Sequence, residues 1–231
     1  MLALYNKHNG NYGRRRLKRE LDIQISEAKI AKILKKHNLT AKSGRKRVGK
    51  NIYTEKEKYL FDNKIKALDK SNEKIWSADI TEMRYDKGRL FVSGIIDVNT
   101  KVVHLTISER PNSELVIQNI LKALKEQEKP KYYHTDRGSA YCSREMRELL
   151  NTLEIEHSMS APCRPCENQY IESFWKTIKT EMGKTKNMSK EDLIMAIEYY
   201  EYYYNNERLH SSIGYAYPME YLKQANIQSC H

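Results

Sequence analysis

The stretch Asn168-Gln-Tyr-Ile-Glu-Ser-Phe-Trp-Lys-Thr-Ile-Lys-Thr-Glu-Met182 sets Ile171, Phe174, Trp175, Ile178 and Met182 at helical spacing. At about 100° per residue the apolar stripe centres on Ile171, and Glu172 and Lys179 fall together about a quarter turn to one side. The spacing predicts a helix over 168–182 with a carboxylate on the shoulder of its buried face and a cation two turns along the same line. The stripe fixes such a helix on a core, and the Glu leans into whatever cleft borders it. Two upstream acids give the position meaning: Asp79 in Trp76-Ser-Ala-Asp-Ile-Thr81 and Asp136 in His134-Thr-Asp-Arg-Gly138, with 35 residues between Asp136 and Glu172.

Working outward, residues 75–85, 89–98 and 101–108 carry β-branched and aromatic residues separated by Asp86-Lys-Gly88 and Asn99-Thr-Lys101. These are hairpin signals, so three antiparallel strands are expected. An amphipathic helix near 113–127, a strand near 131–135, a helix near 143–151 and a strand near 154–158 follow. Helices alternating with strands imply two parallel additions, hence a mixed α/β sheet flanked by helices. A last long helix is expected over 190–206, its apolar side formed by Leu193, Ile194, Ile197, Tyr200 and Tyr204, with the tyrosines packing rather than stacking on bases. Residues 54–70 read as a polar connecting helix with Leu60, Phe61, Ile65 and Leu68 on one side.

In this frame Asp79 lies mid-strand between Trp76 and Ile80, where an acid is costly unless paired or metal-bound. Asp136 directly follows a short apolar strand, at the end where α/β sheets place their chemistry, and Gly138 permits the turn that presents it. Two Asp and one Glu form a hard oxygen donor set suited to Mg²⁺. Two such ions, about 4 Å apart, activate a nucleophile and stabilise a leaving oxygen in phosphodiester cleavage. His134 reads as a supporting contact, Asp97 as a turn residue, and Glu167 as an acid favouring the helix N-terminal dipole.

The net charge of +11 and pI of about 9.3 point to polyanionic partners. The charge is concentrated: residues 1–58 hold 17 Lys or Arg against 5 Asp or Glu, and the remainder is close to neutral. Helices over 14–21 and 26–39, the second capped by Ser26 and made apolar by Ile30, Ile33 and Leu34, read as a helix-turn-helix arm. Arg14, Arg15, Arg16, Lys32, Lys36, Arg45 and Arg47 are its candidate phosphate contacts. No apolar run approaches the roughly 20 residues that span a bilayer, and the opening Met1-Leu-Ala-Leu-Tyr is too short for a signal peptide, so a cytoplasmic location is expected. Cys163-Arg-Pro-Cys166 has the spacing of half a zinc site, and no second pair completes it.

The ordered set W-x-x-D-I-T, H-T-D-R-G-S, and a Glu 35 residues on with Lys seven residues later resembles the DD(35)E core of retroviral-type integrases. The chain is most similar to the second-frame product (OrfB) of bacterial insertion-sequence transposases, from Tyr12-Gly-Arg to Tyr204-Asn-Asn-Glu-Arg-Leu-His210 and Pro218. The resemblance implies a ribonuclease-H-like fold of three antiparallel and two parallel strands. The expected parts are a DNA-binding arm over 1–52, a linker helix over 53–72, a catalytic core over 73–186 and a helical extension over 187–231. It implies a metal-dependent transposase, with Asp79, Asp136 and Glu172 as catalytic metal ligands for two Mg²⁺ or Mn²⁺ ions and Lys179 near the DNA. It further implies element ends and target DNA as partners, a homo-oligomer on DNA, nucleoid association, no membrane, and a first-frame protein (OrfA) or fusion to it. On the same reading the chain starts late within its own DNA-binding arm. Ala140, and Cys163-Arg-Pro-Cys-Glu-Asn-Gln169, depart from the family pattern near a flexible loop. The rival readings are a cellular nuclease on the same fold and a non-catalytic DNA-binding remnant.

Overall fold

The computed structural model describes residues 1–21, 24–42, 62–70, 73–161 and 165–228 of the 231-residue chain. It opens with three short helices, α1 (Leu2–Lys7), α2 (Arg14–Leu21) and α3 (Glu27–Lys36). Ser26 caps α3 as expected, its Oγ accepting from Lys29 N at 3.2 Å. The sheet is then laid down by β1 (Ile75–Tyr85), β2 (Gly88–Asp97) and β3 (Val103–Ser108), followed by α4 (Ser113–Glu126), β4 (Tyr132–Thr135), α5 (Arg144–Thr152) and β5 (Glu156–Met159). A short 3-10 turn (Pro165–Asn168) leads into α6 (Gln169–Met182), and α7 (Lys190–Asn206) and α8 (Pro218–Gln228) complete the described chain.

The five strands lie in the order β3-β2-β1-β4-β5. β1 pairs antiparallel with β2, and β2 with β3, through short hairpins; β4 and β5 join in parallel because helices carry the chain across. The expected mixture of three antiparallel and two parallel strands is therefore the one formed.

Side chains alternate across β1, so successive residues serve different faces. Trp76 and Ala78 join Ile95, Val116, Ile120, Tyr133, Met146 and Leu150 in the cluster under α4 and α5. The opposite face is covered by α6 and α7, where Val92, Ile96 and Leu105 meet Ile171, Phe174, Trp175, Ile178, Leu193 and Ile197. Each fully buried side chain of this size contributes about 1.5–3 kcal/mol, which holds α6 in place along its whole stripe. The outer edge of β3 is closed by side chains: Asn205 of α7 accepts from Val103 N (2.9 Å) and donates to Val103 O (2.8 Å), and Glu201 accepts from Leu105 N (3.1 Å).

The segment expected to be a connecting helix differs where it is described. Residues 62–70 form turns and not a helix: the segment's own bonds are short-range (Lys64 N to Asp62 O, 3.0 Å), and it is tied to β5, where Lys64 N donates to Ser158 Oγ (3.0 Å) and Asp62 O accepts from Met159 N (3.3 Å). Leu60 and Phe61 of that expectation lie outside the described residues. The basic N-terminal arm is packed on the C-terminal extension. Tyr12, Leu17, Ile30 and Leu34 share one cluster with Leu209, and the Tyr12 hydroxyl accepts from Leu209 N (2.7 Å) while donating to Glu207 O (3.0 Å). Among the described residues no helix is long and apolar enough to cross a membrane.

Candidate active site

Three residues of β1 at period two, Ser77, Asp79 and Thr81, face α6 and meet it in sequence. The Ser77 hydroxyl donates to Asn168 Oδ1 (2.5 Å), the Trp175 indole N–H donates to Asp79 Oδ2 (3.0 Å), and Lys179 Nζ donates to Thr81 Oγ1 (2.5 Å). The helix and the strand thus run side by side in the same direction. Asn168 Nδ2 adds a bond to Ala78 O (3.1 Å), fixing the start of α6 at the level of Asp79.

Asp79 is half-buried in the middle of β1. Its neighbour across β2 is Gly94, where an added Cβ would stand 2.5 Å from Trp175 Cη2, so that the ring would have to shift. Burial, with the charges of Asp136 and Glu172 adding to it, pushes the Asp79 carboxyl up to about 7; bonds from Ile80 N and Trp175 hold it lower than it would otherwise be.

Asp136 follows β4 immediately. Pairing of Ser77 with His134, carried two residues onward, brings Asp136 beside Asp79. Gly138 N donates to Asp136 Oδ1 at 2.8 Å, so the turn after β4 holds the carboxylate in one orientation. Glu172, in the first turn of α6, is exposed, as expected for the shoulder of the stripe. Asp136 and Glu172 are therefore both within electrostatic reach of Asp79. Among the described residues no three His, Cys, Asp or Glu side chains form a ready cage around a single ion.

Several neighbours have other tasks. His134 is buried between Ser158 (2.9 Å) and Ser160 (3.0 Å), and burial lowers its pKa to about 4, so it stands neutral and fully bonded. Asp97 is a turn residue, its Oδ1 accepting from Asn99 N (2.8 Å) and Thr100 N (2.9 Å). Glu167 ties two loops, accepting from Ala161 N (2.8 Å) and Asn63 Nδ2 (2.8 Å).

The cations proposed for DNA divide into groups. Arg14 and Arg15 are exposed and share Glu27 (3.2 and 3.8 Å), and Lys32 and Lys36 project from α3 into solvent. Arg16 is turned inward over the Tyr12 ring at 5.6 Å. Arg45 and Arg47 lie outside the described residues, as do Cys163 and the side chain of Cys166. Lys42, at the end of the described arm, donates to Glu181 O (2.9 Å) on the last turn of α6. Sequence reasoning does not single out Trp175 and Gly94 as site residues. The signals that could have found them are a Trp three residues after Glu172, and a glycine inside an otherwise apolar strand.

The integrase core domain family matches residues 69–165, and a second integrase core family matches 153–218. The transposase of insertion sequence element IS904 from Lactococcus lactis is 30% identical over 96% of this chain and 91% of its own length. The chain belongs to the insertion-sequence transposases. Transposase InsF of insertion sequence IS3A from Escherichia coli is 28% identical over 96% of this chain and 80% of its own. The HTLV-2 integrase catalytic core domain superposes with a TM-score of 0.54 at 20% identity, covering 71% of this chain and 99% of that one, which gives the sheet as a ribonuclease-H-like fold. The simian T-cell lymphotropic virus intasome structure gives 0.53 at 19% identity, over 90% of this chain and 69% of that one. This transposase is accordingly a polynucleotidyl transferase of the DDE class, and the reading as a cellular nuclease is set aside.

Proposed function

We propose that Asp79, Asp136 and Glu172 are the catalytic carboxylates, and that they bind divalent metal to nick the element ends and join them to target DNA. The observation that carries this reading is the meeting of three acids from β1, the β4 end and α6, close enough that Asp136 and Glu172 raise the proton affinity of Asp79. Concentrated negative charge of this kind suits a cation, and the donors are all hard oxygens fitted to Mg²⁺ or Mn²⁺. The similar HTLV-2 integrase core is itself a complex with magnesium.

Two bound ions would supply the activation of the attacking oxygen and the neutralisation of the leaving one. The residues' own contributions are positional. Asp79 has one oxygen held by the Trp175 indole and a further bond from Ile80 N, and Asp136 has one oxygen held by Gly138 N. Glu172 and Lys179 stand on one line of α6, so that a carboxylate and a cation face the same DNA strand. Lys179, steadied by Thr81, offers its charge to a phosphate. The basic arm over 1–52 would hold flanking duplex through Arg14, Arg15, Lys32 and Lys36, with Arg45 and Arg47 continuing the same charge. The chain would work as a homo-oligomer on DNA in the nucleoid, with a first-frame protein or fusion recognising the terminal repeats.

The experiment is cleavage and strand transfer on an end-containing duplex in Mg²⁺ by Asp79→Asn, Asp136→Asn and Glu172→Gln. Each should fall to background while retaining DNA affinity, since each loses a metal ligand and no phosphate-binding group. Full activity in any one variant removes that residue from the site. A decayed, non-catalytic protein would show no metal-dependent cleavage even unsubstituted.

A further inference from the structure

We infer that Trp175 is a positioning residue for the reaction: its indole N–H fixes one oxygen of Asp79 so that the other is presented to metal, and Gly94 is the residue that makes this placement possible. The inference rests on the reading of Asp79 as a metal ligand. Three independent features carry it. The bond from Trp175 Nε1 to Asp79 Oδ2 is 3.0 Å long, within the range of a well-formed hydrogen bond. The indole is 4% exposed, wedged by Phe174 at 5.1 Å between ring centroids, so it has little freedom to turn away. Opposite Asp79 in β2, Gly94 leaves the floor on which the ring lies, and an added Cβ would meet Trp175 Cη2 at 2.5 Å and Cζ2 at 2.7 Å.

A Trp serving only as core filling would not need an N–H at this point. Here the polar edge of the ring lands on the acid, and the apolar body lands on the glycine. A carboxylate held by a rigid indole donor, with the Ile80 N–H beside it, has little freedom to turn away from one orientation. Partners that orient a metal ligand in this way typically account for about 10–100-fold in metal affinity.

The test compares Trp175→Phe and Gly94→Ala with the unsubstituted transposase and with Asp79→Asn. Mg²⁺ binding is measured by calorimetry without DNA, and the Mg²⁺ dependence of end cleavage is measured alongside. Trp175→Phe should raise the half-saturating Mg²⁺ concentration about tenfold or more, with most of the rate recovered at high Mg²⁺ and duplex affinity unchanged. Gly94→Ala should do the same. Because Phe lacks the atoms that the new Cβ would strike, adding Gly94→Ala to Trp175→Phe should cost much less than it does alone.

A Trp175→Phe protein that folds normally and keeps its Mg²⁺ half-saturation within twofold overturns the inference. If Asp79→Asn is inactive at the same time, the metal-ligand reading survives that result; if Asp79→Asn is fully active, the reading itself has failed. Should Trp175→Phe not fold, the unsubstituted protein still decides. Mg²⁺ titration should change tryptophan emission saturably, and Asp79→Asn should abolish the change. Flat emission across the range that activates cleavage overturns the inference as well.

Discussion

On the face of the sheet turned to α4 and α5, β1 presents Trp76 and Ala78 to an apolar cluster; on the face turned to α6, the same strand presents Ser77, Asp79 and Thr81 to polar partners. The first face carries neutral polar groups as well, among them Asn119, which donates to Ser93 Oγ (3.1 Å) and accepts from Thr106 (3.1 Å). The second leaves charge unresolved, since Asp79 is surrounded by two further acids. One strand therefore separates apolar packing from unbalanced charge residue by residue. Substitutions on the two faces should have opposite consequences.

The largest expected contrast comes from the apolar face. Ile120 is fully buried, so Ile120→Ala should cost about 2–5 kcal/mol in denaturant unfolding, while the cleavage rate per folded molecule stays unchanged. A diminished rate with intact folding would mean that the two faces are not separable.

Asp79→Asn should invert this pattern in the absence of metal. The carboxyl has its ordinary value of 3.8 when unfolded and about 7 when folded, so its contribution to stability is fully present below 3.8 and lost as the pH rises to about 7. Thermal unfolding in a chelating buffer should show the variant gaining on the unsubstituted protein as the pH is raised from about 4 to 7. Mg²⁺ at pH 8 should then stabilise the unsubstituted protein more than the variant. Parallel pH profiles would show that Asp79 carries no such strain.

The smallest effect belongs to the arm. Lys32→Ala or Lys36→Ala, on exposed positions of α3, should leave folding untouched and reduce the slope of log affinity against log salt by roughly 0.9 for each phosphate no longer neutralised. An unchanged slope assigns those lysines to solvent.

How much of this is legible in the sequence follows from the range of the interactions. The stripe of α6 and the helix Lys190–Asn206 are local periodicities, and both form as expected. The mixture of antiparallel and parallel strands is readable because hairpin turns and crossover helices leave local marks, and the order β3-β2-β1-β4-β5 comes from the structure. Residues 62–70 mislead because their apolar positions, Ile65 among them, have helical spacing, yet the segment is fastened to β5, with Lys64 N bonded to Ser158, 94 residues on. The helices Leu2–Lys7 and Pro218–Gln228 are not anticipated by the sequence reading. The tail Tyr204-Asn-Asn-Glu-Arg-Leu-His210 is recognisable as a pattern, but its tasks are not. Asn205 closes the β3 edge, Arg208 pairs with Glu181 at 2.8 Å, and Leu209 enters the arm's core. The three acidic motifs are readable as patterns, and the structure brings Asp136 and Glu172 within electrostatic reach of Asp79. The hydrogen bond between Trp175 and Asp79 is not, because helix spacing gives a side chain its face and says nothing of which strand atom it meets.

The central claim is that the cleft-facing acid of α6 is Glu172, held at the level of Asp79 by the packing of the helix, while Glu167 a turn earlier serves only to bind loops together. The most direct measurement is cleavage of an end-containing duplex in Mg²⁺ by Glu172→Gln and Glu167→Gln side by side, each normalised to its folded fraction. The expected result is no cleavage from Glu172→Gln and near-normal cleavage, from a less stable protein, for Glu167→Gln. An inactive Glu167→Gln beside an active Glu172→Gln would contradict the placement of α6 on which the site depends.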